Sequence, residues 1–136
     1  MAEAATPDAE QLMSDYFDVR NGDLSKLDVL SSSFVFAHPL GEVHGPDELV
    51  AMQRENETAL SDSTLEVTDL LVGDDIAMWT WTLTGTHDGE WQGLPPTGRE
   101  IVLEGMSKTS IGDGKIRENR AYFDSQDLLT QLGATE

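Results

Sequence analysis

The stretch IAMWTWTLTGT, Ile76 to Thr86, decides the fold. Trp79, Trp81 and Leu83 alternate there with Thr80, Thr82 and Thr84. A period of two sends the two sets to opposite faces of a strand. One face is large and apolar, the other β-branched and polar, so the strand belongs to a sheet packed on one side. The apolar set is core first and pocket wall second; the threonine face meets solvent or a second subunit.

Working outward, the period-two region is wide. Ser63 to Val72 reads as a strand, Gly73-Asp74-Asp75 as a turn, and residues 99–109 as a further strand after a loop carrying Leu94-Pro95-Pro96-Thr97. Gly112-Asp113-Gly114 turns the chain into a last strand. The N-terminal half has helical spacing instead. Thr6-Pro7-Asp8 resembles a helix start, followed by Leu12, Met13, Tyr16 and Phe17, with Asn21-Gly22-Asp23 as the stop. A helical turn is expected over residues 23–30 and a short strand over Phe34 to Ala37, stopped by His38-Pro39. Gly45-Pro46-Asp47-Glu48 opens a second helix reaching about Ala59, with Leu49, Val50, Met52 and Gln53 near its inner face. A short helix over 126–132 ends at Gly133. Helices first and an antiparallel meander afterwards is an α+β layout, here expected as one domain over residues 1–136 with residues 1–6 as a flexible tail.

Composition limits the function. The 136 residues include 26 acids against 8 lysines and arginines, a formal net charge of −18. Such a surface repels nucleic-acid phosphates and anionic lipid, and the acids are dispersed rather than gathered in a tail. Adaptation to high salt is the preferred explanation, with an acid-selective partner surface as the alternative. No cysteine is present, so neither disulfides nor thiol chemistry enter. The N-terminus lacks the basic and apolar regions of a signal peptide, and no run approaches a membrane span. A cytoplasmic protein fits these features.

The last strand, GKIRENRAYFD (114–124), is unusual. Strict alternation places Ile116, Glu118, Arg120, Tyr122 and Asp124 on one face and Arg117, Asn119, Ala121 and Phe123 on the other. The first set would line a pocket on the concave side of a curled sheet. Three histidines, His38, His44 and His87, show no metal-ligand spacing. His44 and His87 are expected as solvent or backbone partners, and His38 as a pocket group.

GTHDGEWQGLPPTGREI (85–101) followed by GDGKIRENRAYFDSQDLLTQLG (112–133) resembles the SnoaL-like polyketide cyclases of the NTF2-like superfamily, as do FVFAHPLGEVHGPDEL (34–49) and the terminal LLTQLG. The resemblance implies a cone: a strongly curved antiparallel sheet wrapped around N-terminal helices, with a mostly apolar pocket. It also implies ring closure by intramolecular aldol chemistry without metal or organic cofactor, an aspartate acting as acid/base, a small apolar ligand and a homodimer. Carried over by position, the aspartate falls on Asp124, and His38 matches a polar pocket position. Arg120 stands where many members carry an aromatic, and Ser107 near where an acid or histidine is common.

These readings give candidate roles and their plainer alternatives. Asp124 is a general base or the N-cap of the last helix, unless Ser125 takes the cap. Arg120 or Tyr122 is the oxyanion partner, with an ion pair to Glu118 as the plainer alternative for Arg120. His38 orients a carbonyl. Tyr16, Trp79, Trp81, Leu103, Ser107, Glu118 and Tyr122 are the expected substrate-binding set. The resulting expectation is an enzyme that removes a proton α to a carbonyl. A non-catalytic ligand-binding module on the same fold is the alternative, and an epoxide hydrolase, with water held between Asp124 and a second pocket carboxylate, a third reading.

Overall fold

The computed structural model describes residues 8–91 and 93–133; the expected tail and the proposed Thr6-Pro7 helix start lie outside them. Helix α1 spans Ala9–Arg20 and is capped by Asp8, whose carboxylate accepts from the Glu10 amide at 3.0 Å. Aspartate is as good a cap as threonine, because the requirement is only a short side chain with an acceptor oxygen. A 3-10 turn, Leu24–Val29, follows and leads directly into β1, Leu30–His38. Strand β1 is therefore longer than its apolar centre suggested, since its Ser31-Ser32-Ser33 start carries no periodic signal. Strand β2, Gly41–His44, hairpins back onto β1 and was not anticipated. Helix α2, Gly45–Ala59, begins with proline in its first turn as expected.

Four long strands complete the sheet: β3 (Leu60–Val72), β4 (Ile76–His87), β5 (Glu100–Gly112) and β6 (Lys115–Phe123), before α3 (Ser125–Gln131). The order across the sheet is β2-β1-β6-β5-β4-β3. Neighbours are antiparallel except β1 and β6, which run parallel. Asp113 and Gly114 both have positive φ, 54° and 71°, as the tight β5–β6 hairpin requires of an Asp-Gly pair. The sheet is curved and does not close. Register shifts in β3 between Ser61 and Thr64 and between Val67 and Asp69 help bend it, with Asp62 at φ 55° inside the first.

The buried residues form one contiguous cluster between the concave face and the helices. Leu12, Met13, Tyr16 and Val19 give α1 its apolar stripe, and Tyr16 and Phe17 pack against Trp79 at ring-centroid distances of 6.4 and 4.8 Å. Gly105 admits the Trp81 indole: a Cβ there would come within 2.4 Å of the ring. The alternation of Trp79, Trp81 and the threonines holds, with Thr80, Thr82 and Thr84 on the outer face.

The last strand alternates with the opposite sense to the one expected. Asn119 and Ala121 are buried, with Phe123 beside them, whereas Arg120 and Tyr122 are exposed on the convex face. Burial decides this: Ala121 and Phe123 can be desolvated at no electrostatic cost, while two charges and a phenol cannot. Only Ile116 of the expected set turns inward, because β5 and β6 shift register between Ser110 and Ile111.

Candidate functional site

A cavity of about 380 Å³ lies between the concave face of the sheet and helices α1 and α2. Its sheet wall is Trp79, Trp81, Leu83, Leu103, Ser107, Ala121 and Phe123. Helix α2 contributes Met52, Gln53 and Asn56, and Leu128 of α3 contributes from the C-terminal side. The β4–β5 loop reaches the cavity through Trp91, whose indole N–H donates to the Asn56 side chain at 3.1 Å.

The lining mixes these apolar walls with polar groups, the carboxylates Glu57 and Asp62 among them. Trp81 donates from Nε1 to Ser107 Oγ at 3.0 Å, which leaves the serine proton free to point elsewhere. Arg20, the last residue of α1, donates from Nη1 to the Tyr16 hydroxyl at 3.1 Å. Its guanidinium carbon lies 4.4 Å from the centre of the Phe36 ring. No carboxylate comes within ion-pair distance of Arg20 among the described residues. A half-buried arginine without a counter-ion, in a chain of net charge −18, is a concentrated positive potential aimed at the cavity.

His38 completes the cluster. Its ring lies 5.0 Å from the same Phe36 ring, on a strand position two residues along. Leu40 N–H donates to His38 Nδ1 at 3.2 Å, so the neutral imidazole carries its proton on Nε2. Burial, and then the positive charge of Arg20, hold His38 below the ordinary value of 6.5. At neutral pH His38 is thus an uncharged hydrogen-bond donor through Nε2, and a poor general base there.

The expected residues divide accordingly. His38, Trp79, Trp81, Leu103 and Ser107 line the cavity. Tyr16 does not; it is fully buried behind the wall and positions Arg20. Glu118 and Arg120 pair with each other at 3.1 Å on the convex face, half exposed, a contact worth roughly 0–1 kcal/mol. Tyr122 is 53% exposed beside Met106 on that face. Asp124 is exposed and caps α3, its Oδ1 accepting from the Gln126 and Asp127 amides at 3.0 and 3.1 Å. Ser125 is the first helical residue and leaves the cap to Asp124. The pair of cavity carboxylates that an epoxide hydrolase would use with Asp124 is not formed, because Asp124 is outside the cavity.

His44 pairs with Glu42 at 3.1 Å on the surface. His87 is buried, its Nδ1 sharing a hydrogen bond with Thr97 Oγ1 at 3.0 Å. Its backbone carbonyl also accepts from the Thr97 and Gly98 amides, so His87 ties down the loop, while its Nε2 is buried without a partner.

Arg20, Phe36, Gln53, Asn56 and Trp91 were missed by sequence reasoning. One signal could have found Arg20: it lies four residues beyond Tyr16 on the buried stripe of α1, where a cation is out of place.

This architecture matches known proteins. The chain belongs to the SnoaL-like polyketide cyclase family, which it matches over residues 8–132, and it has the NTF2-like fold. Nogalonic acid methyl ester cyclase of Streptomyces nogalater is 45% identical over 51 residues, a match spanning 38% of this chain and 38% of the relative. The chain is also similar in structure to TsrD from Streptomyces laurentii, at 29% identity and a TM-score of 0.79, covering 93% of this chain and 95% of TsrD. It resembles AclR from Streptomyces galilaeus, a proposed hydroxylase, at 26% identity and a TM-score of 0.77, covering 93% and 82% of the two chains. No helix among the described residues is long and apolar enough to cross a membrane.

Proposed function

We propose that the protein is a cofactor-free acid/base enzyme for a small apolar carbonyl compound, acting by cyclase-like aldol closure or isomerisation. The observation that carries this reading is the convergence of Arg20 and His38 around Phe36 in the cavity wall. Removing a proton α to a carbonyl moves negative charge onto the carbonyl oxygen. A neutral imidazole donor and an unpaired guanidinium stabilise that enolate oxygen more than the starting ketone, which lowers the barrier. The departing proton goes to one of the two carboxylates that line the cavity, Glu57 of α2 or Asp62 of β3. Tryptophan and leucine walls hold the hydrocarbon body; in aldol closure the enolate carbon adds to the second carbonyl carbon, and the alkoxide that forms takes back the proton held by the carboxylic acid.

The test uses 2-tetralone in deuterium oxide, with exchange of its α-protons followed by NMR. The protein accelerates exchange, and Arg20→Met or His38→Phe lowers the rate at least tenfold while the ketone still binds. Binding with no acceleration would overturn the enzyme reading in favour of a ligand-binding module. That second reading is favoured by one observation: β5 and β6, at the centre of the sheet wall, offer the cavity Ser107 and Ala121 and no carboxylate.

The same proposal includes a homodimer through the convex face, where Leu71, Met78, Val102, Met106 and Tyr122 are exposed. Sedimentation showing a monomer at micromolar concentration would remove it.

A further inference from the structure

We propose that Asn56 is a hydrogen-bond donor to a second, neutral acceptor oxygen of the ligand, so that the cavity takes an apolar compound carrying oxygen at both ends. This rests on the reading of the cavity as the ligand site, with the reacting carbonyl at Arg20 and His38.

The Asn56 amide has one possible orientation. An indole N–H can only donate, so the atom that meets Trp91 Nε1 at 3.1 Å is the oxygen, and Nδ2 is left over. Nδ2 has no partner among the described residues. Nor is it closed off from solvent, because the buried side-chain atoms without partners are Arg20 Nε, Gln53 Oε1 and His87 Nε2. Asn56 is half-buried and lines the cavity. Met52, one turn before it on α2, and Leu60, at the helix C-cap, line the cavity as well, so the side chain stands on that face of the helix.

Its place in the fold separates Asn56 from His38. Met52, with His38 and Leu40, lines both the cavity and the surface groove beside it. Asn56 lies one turn further along α2, about 6 Å by helical rise, and meets Trp91 instead. The sheet gives the same order. Ala37, next to His38, is level with Met78 near the start of β4, whereas Leu60 pairs with His87 at its end.

The surroundings narrow the chemistry of the acceptor. With Met52, Leu60 and Trp91 around it, Nδ2 loses its water when a ligand enters, and an alkyl group there leaves the donor unmet. A carboxylate would accept, but Glu57 and Asp62, close to Asn56 and Leu60 in the chain, line the same cavity and repel an anion. A ketone, ester or ether oxygen meets Nδ2 without bringing charge.

The test uses 2-tetralone bearing an acetyl, isopropyl or carboxylate group, three groups of one shape, at carbon 6 and in a second set at carbon 7. Each is titrated against the full chain by NMR. In at least one set the acetyl compound is expected to bind about tenfold tighter than the isopropyl one, and to move the Asn56 side-chain NH2 protons downfield as the isopropyl compound does not. Asn56→Asp keeps an oxygen for Trp91 and puts a second oxygen where Nδ2 was. There, or in Asn56→Leu should the aspartate variant not fold, the acetyl preference falls to about threefold or less while isopropyl affinity stays within about threefold. The NH2 signal of the unaltered protein decides the matter should neither variant fold. Equal acetyl and isopropyl affinities in both sets, tightest binding of the carboxylate, or an acetyl preference that survives in a folded variant would overturn the Asn56 subsite and leave the cavity reading standing. Failure of every compound to bind would overturn the cavity reading and the subsite with it.

Discussion

Asn119 donates from Nδ2 to the Tyr16 hydroxyl at 2.9 Å, joining the last strand to the first helix across 103 positions of sequence. The contact belongs to a buried chain. Trp79 Nε1 donates to Thr109 Oγ1 at 2.9 Å, Thr109 donates to Asn119 Oδ1 at 3.0 Å, and the Tyr16 oxygen also accepts from Arg20 at 3.1 Å. The core thus holds the cavity's guanidinium in place through a tyrosine that never touches the cavity. Asn119→Leu leaves Thr109 and Tyr16 short of partners and is expected to cost about 1–3 kcal/mol. Tyr16→Phe removes only one oxygen and keeps the ring packing. It should fold, bind 2-tetralone, and lose α-proton exchange in the same direction as Arg20→Met. Thermal melts and the exchange assay separate the two effects; an unchanged exchange rate in Tyr16→Phe would show that Arg20 needs no such support.

Asp124 gives the clearest contrast between positions in sequence and in space. As an N-cap it can be replaced by asparagine at little cost, since both side chains accept from the same amides. Asp124→Ala removes the acceptor and is expected to cost about 1 kcal/mol, a few degrees in Tm. Helix α3 carries Leu128 into the cavity wall, so the alanine variant should also loosen ligand binding modestly. Asp124→Asn should leave exchange unchanged. Loss of exchange in a folded Asp124→Asn protein would restore Asp124 as the base.

These outcomes show what could be read from the chain. Trp79 and Trp81 alternating with threonines could only be one strand face, and Pro46 with the acids after it could only start a helix. The faces of β6 could not be read in the same way. Glu118, Arg120 and Tyr122 suggested a polar pocket wall, while the inward partners, Asn119, Ala121 and Phe123, were too mixed to signal burial. Turning that face inward also buries Asn119, which then meets both Thr109 and Tyr16, a satisfaction that involves three elements and leaves no local pattern. Gln53 was legible as an inner-face residue of α2, but its unmet oxygen depends on the Val19 carbonyl from another helix.

His38 should titrate below 6.5, because burial and the neighbouring Arg20 charge both disfavour its cation. Arg20→Met removes only the second cause, so the value rises toward 6.5 without reaching it. Histidine proton NMR across pH 4 to 8 measures both. The folded chain binds fewer protons at this site than the unfolded chain between the two values. The stability contribution is therefore complete above 6.5 and is lost as pH falls from there to the folded value. A His38 value at or above 6.5 would contradict the account of a neutral donor.

Salt should stabilise this protein. The ion pairs among the described residues are few and lie on partly or fully exposed side chains, such as Arg117 with Asp113 at 3.3 Å and Lys26 with Asp18 at 2.6 Å. Attraction lost to screening is therefore small. Against it stands the mutual repulsion of an excess of 18 negative charges, most of it acting over distances near or beyond the roughly 10 Å screening length at 0.1 M salt. Raising KCl from tens of millimolar to molar removes most of that repulsion while leaving the apolar core intact. Tm measured along that series should climb steeply at first and then flatten as the screening length falls to about 3 Å near 1 M. Chloride and sulfate salts compared at equal ionic strength distinguish screening from exclusion of the anion from the surface, since only the second adds a further rise with sulfate. A midpoint that is flat or falling in KCl would show that the acids are already neutralised by a structural arrangement, and that the acidic surface serves a partner instead.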